Sequence, residues 1–522
     1  MIQAAGAPVR LSDLVATLSL VADLGMGRPM ERVLRQTVIT LRLADAVGAS
    51  ESVRAAAYYT SLLTWVGCAA DTSELAELFG DETEFYADSH EGDLAGVSMA
   101  VFVARHLGSG GSTLRRVGMV GTFLATAGRS VQRVMQSHCQ AASDLAGRLE
   151  LGDDVRRPLL QAFERWDGRG VPGVVGGEDL ALAARLVHLA DNIEAFHATG
   201  GIAAAIGVAR ERRGTQFDPR LVDCFTAEPA RVLADLDTIQ AWDEVIALDP
   251  RLGAGLDDEE LDRALQAFAD FADLKSPLRL GHSRAVAVLA SGAAEGLGLP
   301  PRDRVLVRRA AWLHDVGMIG VPSAVWDEPG PWTLAQRERA RTHPYLTERM
   351  LARLPALSAV ARCATQHSER LDGSGYPHRL SRDSLPMTSR LLAAADVHQA
   401  LREGRPHRQA LPVEAATAVL RDEVTAGRLD GDAVDAVREA AGQRIRRTTP
   451  PPTGLTTREA QVLVQLARGL SNPAIAAELT VSRKTVSTHL EHIYSKLGVS
   501  TRTQAALFAM RSGLVGDPIA DS

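Results

Sequence analysis

The chain has 522 residues, of which 46% are apolar and 4% aromatic, and its formal net charge is −7. The length predicts several domains, and no apolar run approaches the ~20 residues that a membrane-spanning helix needs. The first residues lack the basic and apolar pattern of a secretory signal, and the four cysteines form no CxxC pair. We therefore expect a cytoplasmic protein with reduced thiols and no membrane segment.

The charge is unevenly distributed along the chain. Positions 453–516 carry seven basic and three acidic residues, which gives +4 there and leaves −11 on the remainder. A small basic module on an acidic body predicts that only the module binds a polyanion.

The first predicted unit covers residues 1–250 and is helical. Leu182, Leu186 and Leu189 recur at helical spacing. Asp218 followed by Pro219 is typical of a helix start, since an aspartate caps free amides and proline suits the first turn. Because alanine, leucine, valine and arginine recur at helical spacings through the body, the predicted fold class is all-α.

Two triplets of residues in the chain share the same intervals. Each consists of a histidine, an aspartate 29 positions later and a second aspartate 24 positions after that: His138, Asp167 and Asp191, and then His343, Asp372 and Asp396. In both triplets the middle aspartate opens a DG turn that ends in proline. The repeat predicts two tandem copies of one unit, at 1–250 and 256–445.

The second unit contains four histidines and two aspartates dispersed over predicted helices: His282, His314, Asp315, His343, His367 and Asp396. Mixed nitrogen and oxygen ligands suit Fe, Mn or Zn, and a carboxylate can bridge two such ions. Two neighbouring metals would activate a water and bind the attacking and leaving oxygens of a phosphodiester. The pattern therefore predicts a divalent metal site.

Residues 274–411 resemble the HD-GYP family of all-helical metal phosphohydrolases, many of which cleave cyclic dinucleotides such as cyclic di-GMP. The resemblance is carried by five motifs: HDVG from His314, THP from Thr342, DGSGYP from Asp372, ADV from Ala395 and RPHR from Arg405. It implies that the six residues above are metal ligands. It also implies that Arg405 and Arg408 approach the phosphates of the substrate.

Three positions depart from the family's pattern. Met318 replaces a lysine that helps to protonate the leaving group or to bind the phosphate, and Ser368 replaces one ligand of an HHE motif. Leu278 replaces a glutamate found in trimetal members, so we expect two metals at most. Loss of a general acid costs about 10² to 10⁴ in rate. Two hypotheses follow: an active phosphodiesterase, or a metal- or nucleotide-binding sensor with weak turnover.

The first unit retains fewer of these groups. Its counterparts of the other metal-binding positions are Thr64, Trp65, Ala162 and, near the first histidine, Gln36. Only His138 and Asp191 remain, too few to hold a hydrolytic metal. We interpret this unit as a structural or dimerising pseudo-domain, and a regulatory pocket for a small ligand is the alternative.

Three consecutive prolines predict a linker at 446–454, followed by a last domain at 455–518. Thr456 and Glu459 match a capping box for a first helix, and Ser482 is placed to cap a later one. In that later helix, apolar residues at offsets of four, seven and eleven form one buried face: Val486, Leu490, Ile493 and Leu497.

The segments LTTRE, GLSN and SRKTVSTHLEHIYSKLGV of this domain resemble the LuxR or NarL type of helix-turn-helix domain. Such a domain places a recognition helix in the major groove of double-stranded DNA. We predict phosphate contacts from Arg483, Lys484 and Lys496. Base-edge contacts are predicted from Ser487, Thr488 and Glu491.

The sequence as a whole predicts a transcription regulator whose metal-binding HD-GYP unit senses or hydrolyses a phosphodiester ligand, with cyclic di-GMP as a candidate. Because such DNA-binding modules usually act as dimers, we expect a homodimer formed through the acidic body. One alternative is an enzyme that its DNA-binding tail only localises. Another is a DNA-binding scaffold with two inactive helical units.

Overall fold

The computed structural model describes residues 8–68, 129–251, 253–444, 455–479, 481–512 and 514. The linker predicted at 446–454 lies outside these residues. Within them every regular element is a helix and the strand-like pairings are isolated bridges, so the all-α prediction is confirmed. None of the helices in these ranges combines the length and apolar character that crossing a bilayer needs.

The chain divides into two compact units, residues 1–443 and 444–522. The described helices in the first half of the larger unit are α1 (Leu11–Gly25), α2 (Arg32–Ala46), α3 (Glu51–Leu63), α4 (Arg129–Arg148), α5 (Asp153–Leu160), α6 (Leu182–Glu211), α7 (Pro219–Ala227), α8 (Pro229–Val232) and α9 (Ala241–Ala247). Those in its second half are α10 (Asp258–Asp273), α11 (His282–Gly296), α12 (Pro301–Leu313), α13 (Ser323–Trp326), α14 (Leu334–Ala340), α15 (His343–Leu351), α16 (Ser358–Thr365), α17 (Met387–Arg402), α18 (Val413–Thr425) and α19 (Gly431–Ala440).

Several helix boundaries follow from local sequence. The carboxylate of Asp218 accepts a hydrogen bond from the backbone N–H of Arg220, as predicted for the start of α7. At the start of α10, Asp257 and Glu260 form a reciprocal capping box. Helix α6 is interrupted at Gly201, whose φ of 66° only glycine adopts without steric cost.

Helices of the two halves correspond in length and spacing. Helices α2 and α11 each have fifteen residues and begin 250 positions apart, and α3 and α12 each have thirteen and also begin 250 apart. Helices α6 and α17 begin 205 positions apart. Because the offset falls from 250 to 205 positions, the first half has about 45 more residues than the second between α3 and α4.

One continuous apolar core runs through both halves of the larger unit. At the contact between them, a Cβ added to Gly25 would lie 3.1 Å from the carbonyl oxygen of Ile319, so the end of α1 packs closely against residues 316–320. Arg353 also pairs with Glu31 at 2.7 Å across this contact. The predicted units 1–250 and 256–445 thus share a core, and their division into two domains stays a prediction.

The smaller unit contains α20 (Thr457–Ala467), α21 (Asn472–Glu478), α22 (Arg483–Leu497) and α23 (Arg502–Arg511). The capping box of Thr456 and Glu459 is present, and Ser482 accepts a hydrogen bond from the N–H of Thr485. Val486, Leu490 and Ile493 are buried in one core, as their spacing predicts. This core fixes which face of α22 is exposed.

Candidate metal centre and DNA-binding surface

Six side chains from separate elements of the second half converge at one buried point. His282 begins α11, His314 and Asp315 follow α12, His343 begins α15, His367 follows α16 and Asp396 lies in α17. The four imidazoles and Asp315 are buried, and all contribute to groups whose donor atoms lie within 4.8 Å of one another. The structure therefore brings together every residue that the sequence predicted as a ligand.

Asp315 lies between two pairs of histidines. Its Oδ2 is 3.2 Å from Nε2 of His314 and 3.7 Å from Nε2 of His282. Its Oδ1 is 3.5 Å from Nε2 of His343 and 3.8 Å from Nε2 of His367. Each carboxylate oxygen thus faces its own pair of nitrogens, which is the arrangement of a carboxylate that bridges two metal ions.

Asp396 completes the first of the two donor sets. Its Oδ1 is 3.2 Å from Nε2 of His282 and 3.8 Å from Nε2 of His314. Donor atoms around 3 Å apart match the edge of a coordination shell whose metal–ligand bonds are about 2.1 Å. The donor set of nitrogens and carboxylate oxygens fits divalent transition metals, because imidazole suits Zn and Fe while carboxylates suit Mn.

The imidazole rings are oriented by their second nitrogen. Nδ1 of His314, His343 and His367 lies 2.7–2.8 Å from a main-chain carbonyl oxygen three residues earlier. A carbonyl can only accept a hydrogen bond, so each of these nitrogens carries the proton and donates it. Nε2 then has a free lone pair directed at the centre, as a metal ligand requires.

Burial keeps these three rings neutral. Removal from water lowers the pKa of His314, His343 and His367 to about 3. Near pH 7 no proton then has to be displaced from Nε2 before a metal binds.

His282 is oriented by a carboxylate. Its Nδ1 lies 2.8 Å from Oε2 of Glu403. Burial alone would raise the pKa of Glu403, but the hydrogen bond and charge of His282 outweigh it and the pKa is lowered. The sequence interpretation missed Glu403, and its only signal was its position two residues before the RPHR motif. A carboxylate behind a histidine ligand raises the basicity of that ligand.

Three arginines lie at or near the centre. Arg279 contacts Oδ2 of Asp315, and burial followed by the nearby charge of Arg405 lowers its pKa to about 10. Arg405 lies 3.0 Å from Glu403. Arg408 instead donates hydrogen bonds to main-chain carbonyls, including those of Leu401 and Glu403. Arg279 and Arg405 thus lie near the predicted metal ligands. Arg408 instead stabilises the loop after α17.

The predicted DNA contacts lie on α22, which follows α21 after a short turn. Arg483, Lys484, Ser487, Thr488 and Glu491 are all exposed on this helix. The hydroxyls of Ser487 and Thr488 donate to the carbonyls four residues earlier, at 3.2 and 3.1 Å. Five of the six predicted contacts therefore share one exposed surface.

Lys496 differs from the other five. Its Nζ lies 2.7 Å from Oε2 of Glu459, which is buried at the start of α20. This hydrogen bond lowers the pKa of Glu459 to about 2. Lys496 thus links the recognition helix to α20, and its predicted phosphate contact stays a prediction.

Comparison with known proteins decides the family. A model of the HD domain matches residues 266–433, and one of bacterial regulatory proteins of the luxR family matches residues 453–509. The chain is 30% identical over 416 residues to 3'3'-cGAMP-specific phosphodiesterase 3 of Vibrio cholerae, covering 79% of this chain and 90% of that protein. This chain belongs to the HD-GYP family of HD-domain proteins. Its last domain is a luxR-family helix-turn-helix domain.

A solved structure and a second curated relative support this placement. A crystal structure of a cyclic GMP-AMP-specific phosphodiesterase of V. cholerae has a TM-score of 0.58 and 27% identity, covering 84% of this chain and 99% of that one. A cyclic di-GMP phosphodiesterase of Thermotoga maritima is 34% identical over 137 residues, covering 26% of this chain and 37% of that protein. The long matches extend beyond the HD-domain residues into the first half.

Of the three positions that depart from the HD-GYP pattern, Met318 and Ser368 are buried, whereas Leu278 is 44% exposed. Met318 is 1% exposed, and the carbonyl of this residue accepts a hydrogen bond from the indole of Trp326. Ser368 is buried beside His367. Glu369 accepts hydrogen bonds from the N–H groups of His378 and Leu380, at 2.7 and 2.9 Å, and so holds the GYP loop.

The first half contains an arginine where the HD-GYP half has its first histidine. Arg32 begins α2 as His282 begins α11, whereas the sequence interpretation placed Gln36 there. The Arg32 guanidinium lies 2.5 Å from Asp191 and 3.2 Å from Glu194, and all three are buried. Trp65 donates its indole N–H to the same Asp191 oxygen at 2.9 Å. The guanidinium of Arg32 is therefore the cation beside Asp191, the aspartate that corresponds to Asp396.

Proposed function

We propose that this protein is a transcription regulator that binds two divalent metal ions in its HD-GYP half, hydrolyses a cyclic dinucleotide there and binds double-stranded DNA through its luxR-family domain. The observation that carries the proposal is the position of Asp315, whose two oxygens face two separate histidine pairs. The six ligands are those predicted above, and Fe, Mn or Zn fits them.

The substrate class follows from the reaction that this donor set supports and from the relatives. A dinuclear centre supplies an activated water and binds the oxygens of a scissile phosphodiester. The relative that matches 416 residues of this chain carries a name that assigns it 3'3'-cGAMP. A cyclic dinucleotide is therefore the substrate that we propose for this chain.

Arg279 takes over part of the role of the lysine that Met318 replaces. The guanidinium lies on Asp315 and close enough to Arg405 for their charges to interact. A guanidinium is suited to bidentate binding of phosphate oxygens. Arg279 and Arg405 would stabilise the negative charge that develops on the phosphate, while proton transfer to the leaving group falls to solvent.

The test is hydrolysis by the purified full-length protein after loading with Mn or Fe. Incubation with 3'3'-cGAMP and with cyclic di-GMP should release a linear dinucleotide, detected by chromatography, and Asp315→Asn should release none. If the loaded wild type turns over neither compound, hydrolysis of cyclic dinucleotides is contradicted.

A sensor without turnover is the second candidate, and the replacement of the lysine by Met318 favours it. A sensor binds the cyclic dinucleotide without cleaving it, and its affinity for DNA changes on binding. Titration of a labelled DNA fragment with and without 3'3'-cGAMP tests the sensor, because its DNA affinity must change when the ligand binds. Release of a linear dinucleotide under the same conditions separates the first candidate from the sensor.

We also propose that the first half is a second, degenerate copy of the HD-GYP unit and that the chain acts as a homodimer. The equal lengths of α2 and α11 and of α3 and α12, with the offsets of 250 and 205 positions, support the duplication. The luxR-family domain supports the dimer, because helix-turn-helix dimers bind two half-sites of a DNA operator. Light scattering of the full chain at micromolar concentration tests it.

A further inference from the structure

The first half contains a cavity beside Arg32 that no part of the proposed function uses. Its volume is about 90 Å³, which exceeds the 10–15 Å³ that one water needs and leaves room for a small ring. The residues that define its chemistry are Trp65, Phe163, His188, Asn192, Arg212 and Gln216. Ala162, the counterpart of His367, also lines it, so the cavity lies where the HD-GYP half has its metal centre.

His188 directs an unused polar atom into this region. Its Nε2 is buried and has no hydrogen-bond partner. Burial lowers the pKa of His188 to about 4, so the ring is neutral near pH 7. Backbone hydrogen bonds with Gln161 and Ala162 raise the pKa of His188 and so oppose the effect of burial. This is the effect expected of main-chain carbonyls that accept the Nδ1 proton. Nε2 is then an acceptor, and an N–H or O–H of a ligand would satisfy it.

The cavity lining also includes a cation and side-chain amides. Nη1 of Arg212 lies 3.0 Å from Oδ1 of Asn192 and 3.2 Å from Oε1 of Gln216. These contacts fix the guanidinium at the cavity wall. Fixed guanidinium donors at a concave surface suit a phosphate or carboxylate.

The carboxylates at the cavity already have hydrogen-bond or ion-pair partners. Asp191 pairs with Arg32, and Glu164 accepts hydrogen bonds from the N–H groups of Gly173 and Val174 at 3.0–3.1 Å. Among the residues that the structure describes, the groups able to hold a metal ion lie in the other half. The cavity therefore suits an anionic organic ligand better than a cation.

Aromatic side chains form the remaining wall. The rings of Trp65 and Phe163 pack edge to face, with centroids 6.2 Å apart. Aromatic faces of this kind stack on nucleobases. The wall thus favours a planar ring over an aliphatic chain.

We propose that this cavity is a binding site for a purine nucleotide, separate from the metal centre. The base lies against Trp65 and Phe163 and donates an exocyclic N–H to Nε2 of His188. The phosphate is bound by Arg212. This site does not depend on hydrolysis in the HD-GYP half, so it is tested apart from the proposed function.

The test is isothermal titration of the full-length protein in EDTA with GMP and with AMP as probes. We expect saturable binding of at least one of them with one site per chain, and at least tenfold weaker binding of ribose 5-phosphate, which lacks the base. Removing metal with EDTA and using His314→Ala as a control excludes the metal centre, and this variant should bind within threefold of wild type.

Two variants locate the site. Ala162→Leu fills the cavity and should weaken binding at least tenfold, while His188→Leu removes the acceptor and should do the same. His188→Gln, whose side chain retains an acceptor, should recover part of the affinity, and circular dichroism checks that each variant is folded. No binding of either nucleotide to wild type would overturn the proposal. Unchanged binding by either of the folded Leu variants would also overturn it.

Discussion

Asp191 and Asp396 lie 205 positions apart, on α6 and α17, and their side chains are 9% and 20% exposed. Around Asp396 the partners are imidazoles with free Nε2 atoms, whose donor spacing fits metal ions. Around Asp191 the partner is the guanidinium of Arg32. A buried carboxylate needs a cation in either case. In the first half the chain carries that cation itself, so this half needs no metal to be stable but also lacks the chemistry that a metal supplies.

The largest expected effect comes from the carboxylate of Asp315. Asp315→Asn removes a charge that faces both histidine pairs, so hydrolysis should fall by at least about 10³-fold, because metal ions contribute several kcal/mol to such reactions. The counterpart change in the first half, Trp65→Phe, removes the indole N–H that donates to Asp191 and Gln36 but touches none of the proposed metal ligands, so it should leave hydrolysis within about threefold. Steady-state rates of 3'3'-cGAMP hydrolysis measure the effect of both substitutions. Equal losses of rate would contradict the claim that only the second half carries the hydrolytic site.

Arg32→Met should destabilise the metal-free protein by about 3–5 kcal/mol, since it removes the guanidinium that pairs with the buried carboxylates of Asp191 and Glu194 and leaves only Arg35 paired with Glu194. Urea unfolding followed by circular dichroism measures the change in the transition of the larger unit. His282→Ala, at the corresponding helix start, should lose metal and cost less stability in EDTA. A Met variant as stable as wild type would show that Arg32 does not replace the metal as the required cation.

Glu403→Ala should weaken metal binding by about 10- to 100-fold, because His282 loses the carboxylate that orients its ring and raises its basicity. Competition with a chromogenic chelator gives the affinity. Glu414→Ala, an exposed site on α18, serves as the matched control and should have no effect.

The smallest effect concerns Asp23, whose carboxylate accepts a hydrogen bond from the N–H of Val33 next to Arg32. Burial raises the pKa of Asp23 to about 7, so the folded protein keeps a proton that the unfolded chain releases above about pH 4. The contribution of Asp23 to the free energy of unfolding is therefore full below about pH 4 and is lost as the pH rises through 7. Between pH 5 and 7 the wild type should lose on the order of 1 kcal/mol of unfolding free energy that Asp23→Asn does not lose. Urea unfolding of both proteins at each pH measures this difference.

Sequence reasoning located the six candidate ligands because they stand in local motifs or at repeated intervals. It also located the capping box of Thr456 and Glu459, since helix caps depend on neighbours within one turn. Glu403 and Arg279 were missed because their roles depend on which helices meet in space. Arg32 had a usable signal: aligning TWVG with HDVG gives an offset of 250, which pairs residue 32 with His282 rather than Gln36, one helical turn away.

The most direct test of the account is the metal content of the anaerobically purified full-length protein, determined by elemental analysis for wild type, Asp396→Asn and Asp191→Asn. We expect up to two Fe, Mn or Zn ions per chain in wild type, a clear loss of metal in Asp396→Asn, and the wild-type metal content in Asp191→Asn. Metal that persists in Asp396→Asn, or that is lost equally in Asp191→Asn, would contradict the assignment of the metal centre to the second half alone.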